Sequence, residues 1–172
     1  MISGTVNVKI EQDNVHMLYD QLKKLASLHV YVGVPEADAS RPGEPINNAE
    51  LAYIHTNGVK PAEQLHLQEH GSPLWRIPPR PMIDPVIKKN EQLINDKFQA
   101  LSKKALSDPN VNVKDELSKI GMIVRDKIKD NFTDPNNGWA PNSDATIREK
   151  GSDKPLIDTG ALRKSIEYVV AP

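Results

Sequence analysis

Histidine side chains are the first candidates for chemistry, because two of the five lie four residues apart. On a helix, His66 and His70 would share one face, as the two imidazoles of a zinc site do. Zinc proteases of this pattern carry glutamate directly after the first histidine, but here that residue is Leu67. Glu69 and His55 could complete a ligand set, yet no spacing requires it. We therefore interpret these histidines as solvated loop residues, and we expect no metal and no cofactor.

A second candidate is the triplet Asp158-Thr159-Gly160, which resembles the active-site triplet of retroviral-type aspartic proteases. In those enzymes an aspartate from each of two subunits shares one proton. Only 12 residues follow Gly160, which is too few for the β-barrel that such a protease needs after its triplet. In the competing interpretation Asp158 or Thr159 caps a short helix and Gly160 permits a tight turn. We favour the structural role and keep a hydrolase that uses Asp158 as the alternative.

A proline-rich segment at residues 71–81 is suited to contacting another chain. Its prolines preset an extended backbone that has little entropy left to lose. Its apolar side chains would act as anchors, and its arginines as fork-shaped hydrogen-bond donors. The alternative is a rigid connector into the helix that follows. The candidate assembly interface consists of Trp75, Arg76, Ile77, Pro78, Arg80, Pro81 and, from a later loop, Trp139.

That later loop, residues 133–155, is rich in Asn, Asp, Gly and Pro, and we expect about 20 residues without regular structure. A single tryptophan in a polar loop must pack on its own core or on a partner.

Taken in order, several blocks resemble the neck and tail-completion proteins of tailed bacteriophages and prophages, including phage virion morphogenesis and minor tail proteins. The blocks are residues 30–35, 49–55, 71–73, 77–81, 139–143, 146–147, 150–151 and 155–166. The last block is the most specific, and its motif positions are Leu156, Asp158, Thr159, Gly160, Leu162, Ser165 and Ile166. Two departures are an insertion at residues 59–69 and Met82 in place of the usual Phe.

This resemblance implies a structural protein without catalytic residues, which acts in head–tail joining or tail completion during virion assembly. A tail terminator or another minor tail protein is the alternative within the same class. The expected partners are other phage neck and tail proteins, with a homo-oligomeric ring in the virion and a monomer before assembly. The expected location is the virion and, during assembly, the cytoplasm of the bacterial host.

Composition excludes several other classes. The 172 residues contain no cysteine, so a disulfide scaffold, a cysteine nucleophile and a Cys-ligated metal are absent. The net charge of −1 argues against direct binding of nucleic acid through a basic surface. No apolar run reaches the roughly 20 residues of a membrane span. Nine of the 14 prolines lie between Pro35 and Pro85, so residues 35–81 are expected to be mostly loop.

The elements that must position these residues form a single α+β domain over residues 1–172. We predict a small mixed or antiparallel sheet from residues 4–10, 28–34 and 165–170, packed against amphipathic helices at 14–27, 85–107 and 113–131. A short helix is expected at 49–56. Asp84 and Asn112 are the predicted N-terminal caps of the helices at 85–107 and 113–131. The predicted core is Val15, Leu18, Leu22, Val32, Leu93, Leu101, Leu117, Ile120, Val124, Ile128 and Ile166.

Overall fold

A computed structural model describes residues 15–40, 42, 47–57, 78–108 and 110–172. Within them the elements follow in this order: α1 Val15–Ser27, β1 His29–Gly33, a 3₁₀ turn Glu36–Asp38, α2 Asn48–Asn57, α3 Asp84–Lys89, α4 Glu91–Ser107, α5 Val113–Asn131, α6 Asp144–Lys150, α7 Ala161–Ser165 and β2 Glu167–Ala171. The predicted α+β fold is confirmed. The predicted strand at residues 4–10 lies outside the described residues.

The sheet of the described residues is one antiparallel pair, in which Val30 lies opposite Val170 and Val32 opposite Tyr168. These side chains share one face, because alternate residues of a strand point the same way. Helix α5 packs across both strands, and its Gly121 lies beneath Val30 and Tyr168. A two-stranded sheet is marginal in water, so this helix supplies the apolar surface that the pair needs.

Helix α5 follows its sequence signals closely. The side chain of Asn112 caps the first turn by accepting a hydrogen bond from the backbone N–H of Asp115, at 3.3 Å. The residues that recur at helical spacing form the centre of the core. The buried residues of α5 are Val113, Leu117, Ile120, Gly121, Val124 and Ile128. Leu101, Ala105, Phe132, Leu162 and Ile166 complete this core together with Met82, Val86 and Val111.

The helix predicted at 85–107 is divided into α3 and α4, so that prediction is wrong in one respect. Asn90 leaves the helical conformation, with φ −110° and ψ 14°, and its side-chain amide donates to the Val86 carbonyl at 2.8 Å. Such a side-chain bond to the backbone competes with the helical pattern. Asp84 is the first helical residue and Ile83 precedes it, so Asp84 is not the cap. Leu93, predicted to be core, is 36% exposed.

Helix α1 turns a different face inward from the one its apolar pattern predicts. Val15 is 68% and Leu22 43% exposed, whereas Leu18 is half-buried and Gln21 is buried. The Gln21 amide nitrogen donates to the carbonyl of Val111 at 3.1 Å, which ties α1 to the turn between α4 and α5. Gln21 is therefore buried because its side chain supplies a hydrogen bond to a buried carbonyl.

The loop predicted at 133–155 contains helix α6, so that prediction also needs correction. The hydroxyl of Ser143 accepts a hydrogen bond from the backbone N–H of Thr146, at 3.2 Å. Gly151 ends the helix with φ 67°, and its N–H donates to the Ile147 carbonyl at 2.9 Å. Both ends therefore carry ordinary helix signals within a polar composition. Among the described residues, no helix is both long and apolar enough to cross a membrane.

Candidate functional site

The candidate site is the contact between residues 78–82 and residues 139–141, which we call the Arg80 joint. Arg80 is only 6% exposed. Its Nε donates to the carbonyl of Ala140 at 2.8 Å, and an Nη donates to the carbonyl of Pro141 at 2.9 Å. Burial of the guanidinium lowers the pKa of Arg80 from its ordinary value. The arginine predicted to contact another chain thus has intrachain partners.

Trp139 completes the joint from the other side. Its indole Nε1 donates to the carbonyl of Pro81 at 2.9 Å. Its ring meets Phe132 edge to face, with centroids 5.3 Å apart, and it packs against the core cluster. The backbone N–H of Trp139 donates to the side-chain oxygen of Asn137 at 3.0 Å. Of the two options for a tryptophan in this loop, packing on its own core is the one observed.

Hydrogen bonds around helix α6 tie together the segment that follows the joint in the chain. The side-chain amide of Asn142 donates to the carbonyl of Asp153 at 3.2 Å, which links the loop before α6 to the turn after it. Lys150, the last residue of α6, donates to the carbonyl of Lys154 at 3.1 Å. Burial lowers the pKa of Lys150, the charge of Asp158 raises it, and the charge of Arg80 lowers it further.

The motif at residues 156–166 divides into a buried part and an exposed part. Leu162, Ser165 and Ile166 are buried, and the Ser165 hydroxyl donates to the Leu162 carbonyl at 2.8 Å. Leu156 packs against the core with φ 57°, a left-handed conformation that is strained for a branched side chain.

Asp158 and Thr159 form the exposed part of that motif. The residue that caps α7 is Gly160, at φ 75°, so the predicted cap at Asp158 or Thr159 is wrong. The hydroxyl of Thr159 accepts a hydrogen bond from the N–H of Ala161, at 3.3 Å.

The other predicted site residues are only partly described. Pro78 is half-buried at the start of the described segment. Trp75, Arg76 and Ile77 lie outside the described residues, as do His66 and His70. In the described part of the chain, no group of three His, Cys, Asp or Glu side chains could hold a metal ion.

A cluster of ion pairs joins β2 to α5, and sequence analysis missed it. Glu167 accepts from Lys129 at 2.7 Å and from Arg125 at 3.0 Å. The hydrogen bond from Lys129 lowers the pKa of Glu167, and that from Arg125 adds to the effect. Arg125 also lies over the ring of Tyr168, 5.5 Å from its centroid. Arg125 and Lys129 are four residues apart, so they share a helix face, but nothing in the sequence names the strand they meet.

No protein-family model, curated protein or solved structure matches this chain. The geometry of the described residues shows a joint built around one buried arginine.

Proposed function

We propose that this protein is a structural component of a tailed bacteriophage or prophage that acts in head–tail joining or tail completion. The observation that carries the proposal is the direct bonding of Arg80 and Pro81 to residues 139–141. These two blocks, which lie about 60 residues apart in the chain, both belong to the set on which the resemblance rests. A shared structural reason for both blocks supports the resemblance more than either block alone.

In this role the protein binds other neck and tail proteins and forms a ring in the virion, starting from a monomer. The Arg80 joint gives such an assembly a stiff surface, because prolines and two charge-assisted hydrogen bonds fix the backbone on both sides. A preorganised surface loses little conformational entropy when a partner binds. The chain itself carries out no catalysis in this proposal.

The test is genetic and structural. We expect the gene to lie beside portal, capsid and tail-tube genes in its genome. Deletion in an inducible prophage should leave filled heads and separate tails in electron micrographs, and the full-length gene in trans should restore joined particles. Normal infectious particles from the deletion strain would overturn the proposal.

The same deletion separates the alternatives. A tail terminator limits tail length, so its loss should produce overlong tails. Overlong tails in the deletion strain, instead of separate heads and tails, would favour that function. An Asp158→Asn substitution tests the hydrolase. Loss of a measurable peptide cleavage in a folded Asp158→Asn variant would reject the structural role, whereas normal particle yield from this variant would reject the hydrolase.

A further inference from the structure

We infer that the groove between α4 and α5 binds an acidic amphipathic helix of a partner protein. This α4–α5 groove has a volume of about 300 Å³. Its floor is formed by Leu101, Ile120 and Ile123, and its edges carry Lys97, Lys104 and Lys119. The inference concerns a surface that the proposed function does not use, so it stands independently of that function.

The floor of the groove is apolar and only partly covered. Leu101 and Ile120 are 4% and 5% exposed, so they close the bottom, whereas Ile123 is half-buried and the adjoining Ala100 is exposed. Ile123 also lines a second hollow, together with Leu93 of α4. Leu93, which the apolar pattern assigns to the core, is 36% exposed there. An apolar line therefore continues along the helix pair beyond the groove itself.

The edges of the groove carry an excess of positive charge. The acidic residue that lines the groove is Glu116, whose Oε1 accepts from Lys104 at 2.7 Å and from Lys119 at 2.8 Å. Lys97 takes part in none of the described ion pairs. Three lysines and one glutamate leave two positive charges in excess, and this surface potential favours an acidic ligand.

The combination of an apolar floor and lysine edges determines the class of ligand. Proteins that bind single-stranded nucleic acid stack the bases on aromatic side chains. Among the described residues that line the groove, none is aromatic, and Glu116 would repel phosphates. An amphipathic helix instead presents an apolar stripe that can be flanked by carboxylates. Its stripe would lie on Leu101 and Ile123, with carboxylates beside Lys97 and Lys119.

The helix pair also sets the length of the partner segment. On α4 the lining residues of the two hollows run from Leu93 to Lys104, which is about 17 Å at 1.5 Å per residue. A partner helix of roughly 14 residues is long enough to cover this distance. Lys104 and Lys119 are already held by Glu116, so binding does not need to order them from a fully free state.

The experiment measures the binding of synthetic peptides to the full chain by isothermal titration calorimetry at constant ionic strength. The probe is a capped helical peptide of about 14 residues, with leucines along one face and glutamates on both sides of them. One control peptide has lysine for each glutamate. The other has alanine for each leucine, which keeps the helix propensity.

We expect the probe to bind along a saturable curve and to shift the methyl NMR signals of Ile123. The lysine peptide should give no saturable binding, because the edges of the groove repel it. The alanine peptide should bind at least about tenfold more weakly than the probe, because it buries less apolar surface.

The variant that tests the location is Lys97→Glu. Lys97 is exposed on α4, so the fold should persist, which far-ultraviolet circular dichroism checks. We expect the probe to bind about tenfold more weakly, since an attraction between opposite charges becomes a repulsion. Lys103→Glu is the matched control, because Lys103 is exposed on the same helix and does not line the groove. It should bind the probe within about twofold of wild type.

Three results would overturn the inference. They are the absence of saturable probe binding, equal binding of the glutamate and lysine peptides, and unchanged probe affinity in folded Lys97→Glu. Equal binding of the alanine peptide would reject an amphipathic partner in favour of attraction by charge alone. Displacement of the probe by a single-stranded DNA oligonucleotide that binds more tightly would reject a protein partner.

Discussion

Gly121 shows how closely helix α5 approaches the sheet at the scale of a single residue. A Cβ at this position would lie 2.5 Å from Cδ2 of Tyr168 and 3.0 Å from Cγ1 of Val30. The Tyr168 ring is also restrained by the guanidinium of Arg125 on its face. Neither neighbour can move without disturbing the strand pair, so the helix needs glycine here because of space and not because of its backbone angles.

We predict that Gly121→Ala destabilises the protein despite the better helix propensity of alanine. Overpacking should lower the free energy of unfolding by about 1–3 kcal/mol, and the propensity gain of roughly 1 kcal/mol offsets only part of that. Urea unfolding measures the difference. Gly33→Ala is the control, because no atom lies within 4 Å of a Cβ there. Equal stability of the two variants would contradict the close approach.

Arg80 is the second residue whose role the structure defines. We predict that Arg80→Met lowers the free energy of unfolding by on the order of 2 kcal/mol, because two carbonyls lose charged donors. Arg148→Met, on the exposed side of α6, is the matched control and should stay within about 0.5 kcal/mol of wild type. Urea denaturation followed by circular dichroism gives both values. If Arg80→Met had the same free energy of unfolding as wild type, water would be replacing the guanidinium as the donor to both carbonyls without loss of stability.

At the scale of elements, the pairing of α5 with β2 depends on one carboxylate as well as on apolar contacts. The pKa of Glu167 is lower in the folded chain than its ordinary value of 4.5, through Lys129 first and then Arg125. A carboxyl whose pKa is lowered by folding contributes stability that is complete above its unfolded pKa. The contribution is lost as the pH falls through the lower folded pKa.

We therefore predict that Glu167→Gln is less stable than wild type at pH 7, by about 1 kcal/mol for a partly exposed pair. The difference should shrink as the pH falls below about 4.5, because the carboxyl of the unfolded chain takes up a proton first and the folded carboxyl does so only at lower pH. Urea unfolding of both proteins across this pH range is the measurement. Glu149→Gln, on the exposed side of α6, is the control and should show no such dependence. A pH-independent difference would mean that packing and not charge explains the effect.

An element could be predicted from the sequence where its cap and its apolar pattern agree with the way neighbouring elements pack against it. For α5 the cap, the apolar period and the burial all agree, so both ends of the helix were predictable. For α1 the apolar stripe is present, but contacts with α4 and α5 select the face centred on Gln21. Helix α6 was hidden because its polar composition is typical of a loop, although Ser143 and Gly151 are standard signals for its two ends.

The site was less predictable than the fold, for a physical reason. The order of the blocks along the sequence drew attention to the segments that contain Arg80, Pro81 and Trp139. The residue types in these segments suggested contacts with a partner. Which groups bond to one another depends on long-range packing, and the pairs in the joint are separated by 58 to 61 residues. No local pattern contains that information. Only the three-dimensional structure shows that Arg80 is a buried residue with intrachain partners.

At the scale of the whole molecule, the Arg80 joint and the core are physically continuous. Trp139 meets Phe132, which is 2% exposed and directly follows α5 in the chain. Met82, next to Pro81, is 1% exposed in the same cluster. The described residues of the joint therefore have no separate apolar core, and opening the joint would expose part of the common one. A shared core makes unfolding cooperative.

We predict that the joint and the helices unfold in a single transition. In a Trp75→Phe background the fluorescence reports Trp139 alone, because the chain has two tryptophans. Its urea midpoint should coincide with that of far-ultraviolet circular dichroism, which reports the helices. Trp75→Phe without urea must keep the wild-type dichroism spectrum as the control. An earlier fluorescence transition would show that residues 132–160 open as a separate unit, and the single-domain organisation predicted for the chain would then be wrong.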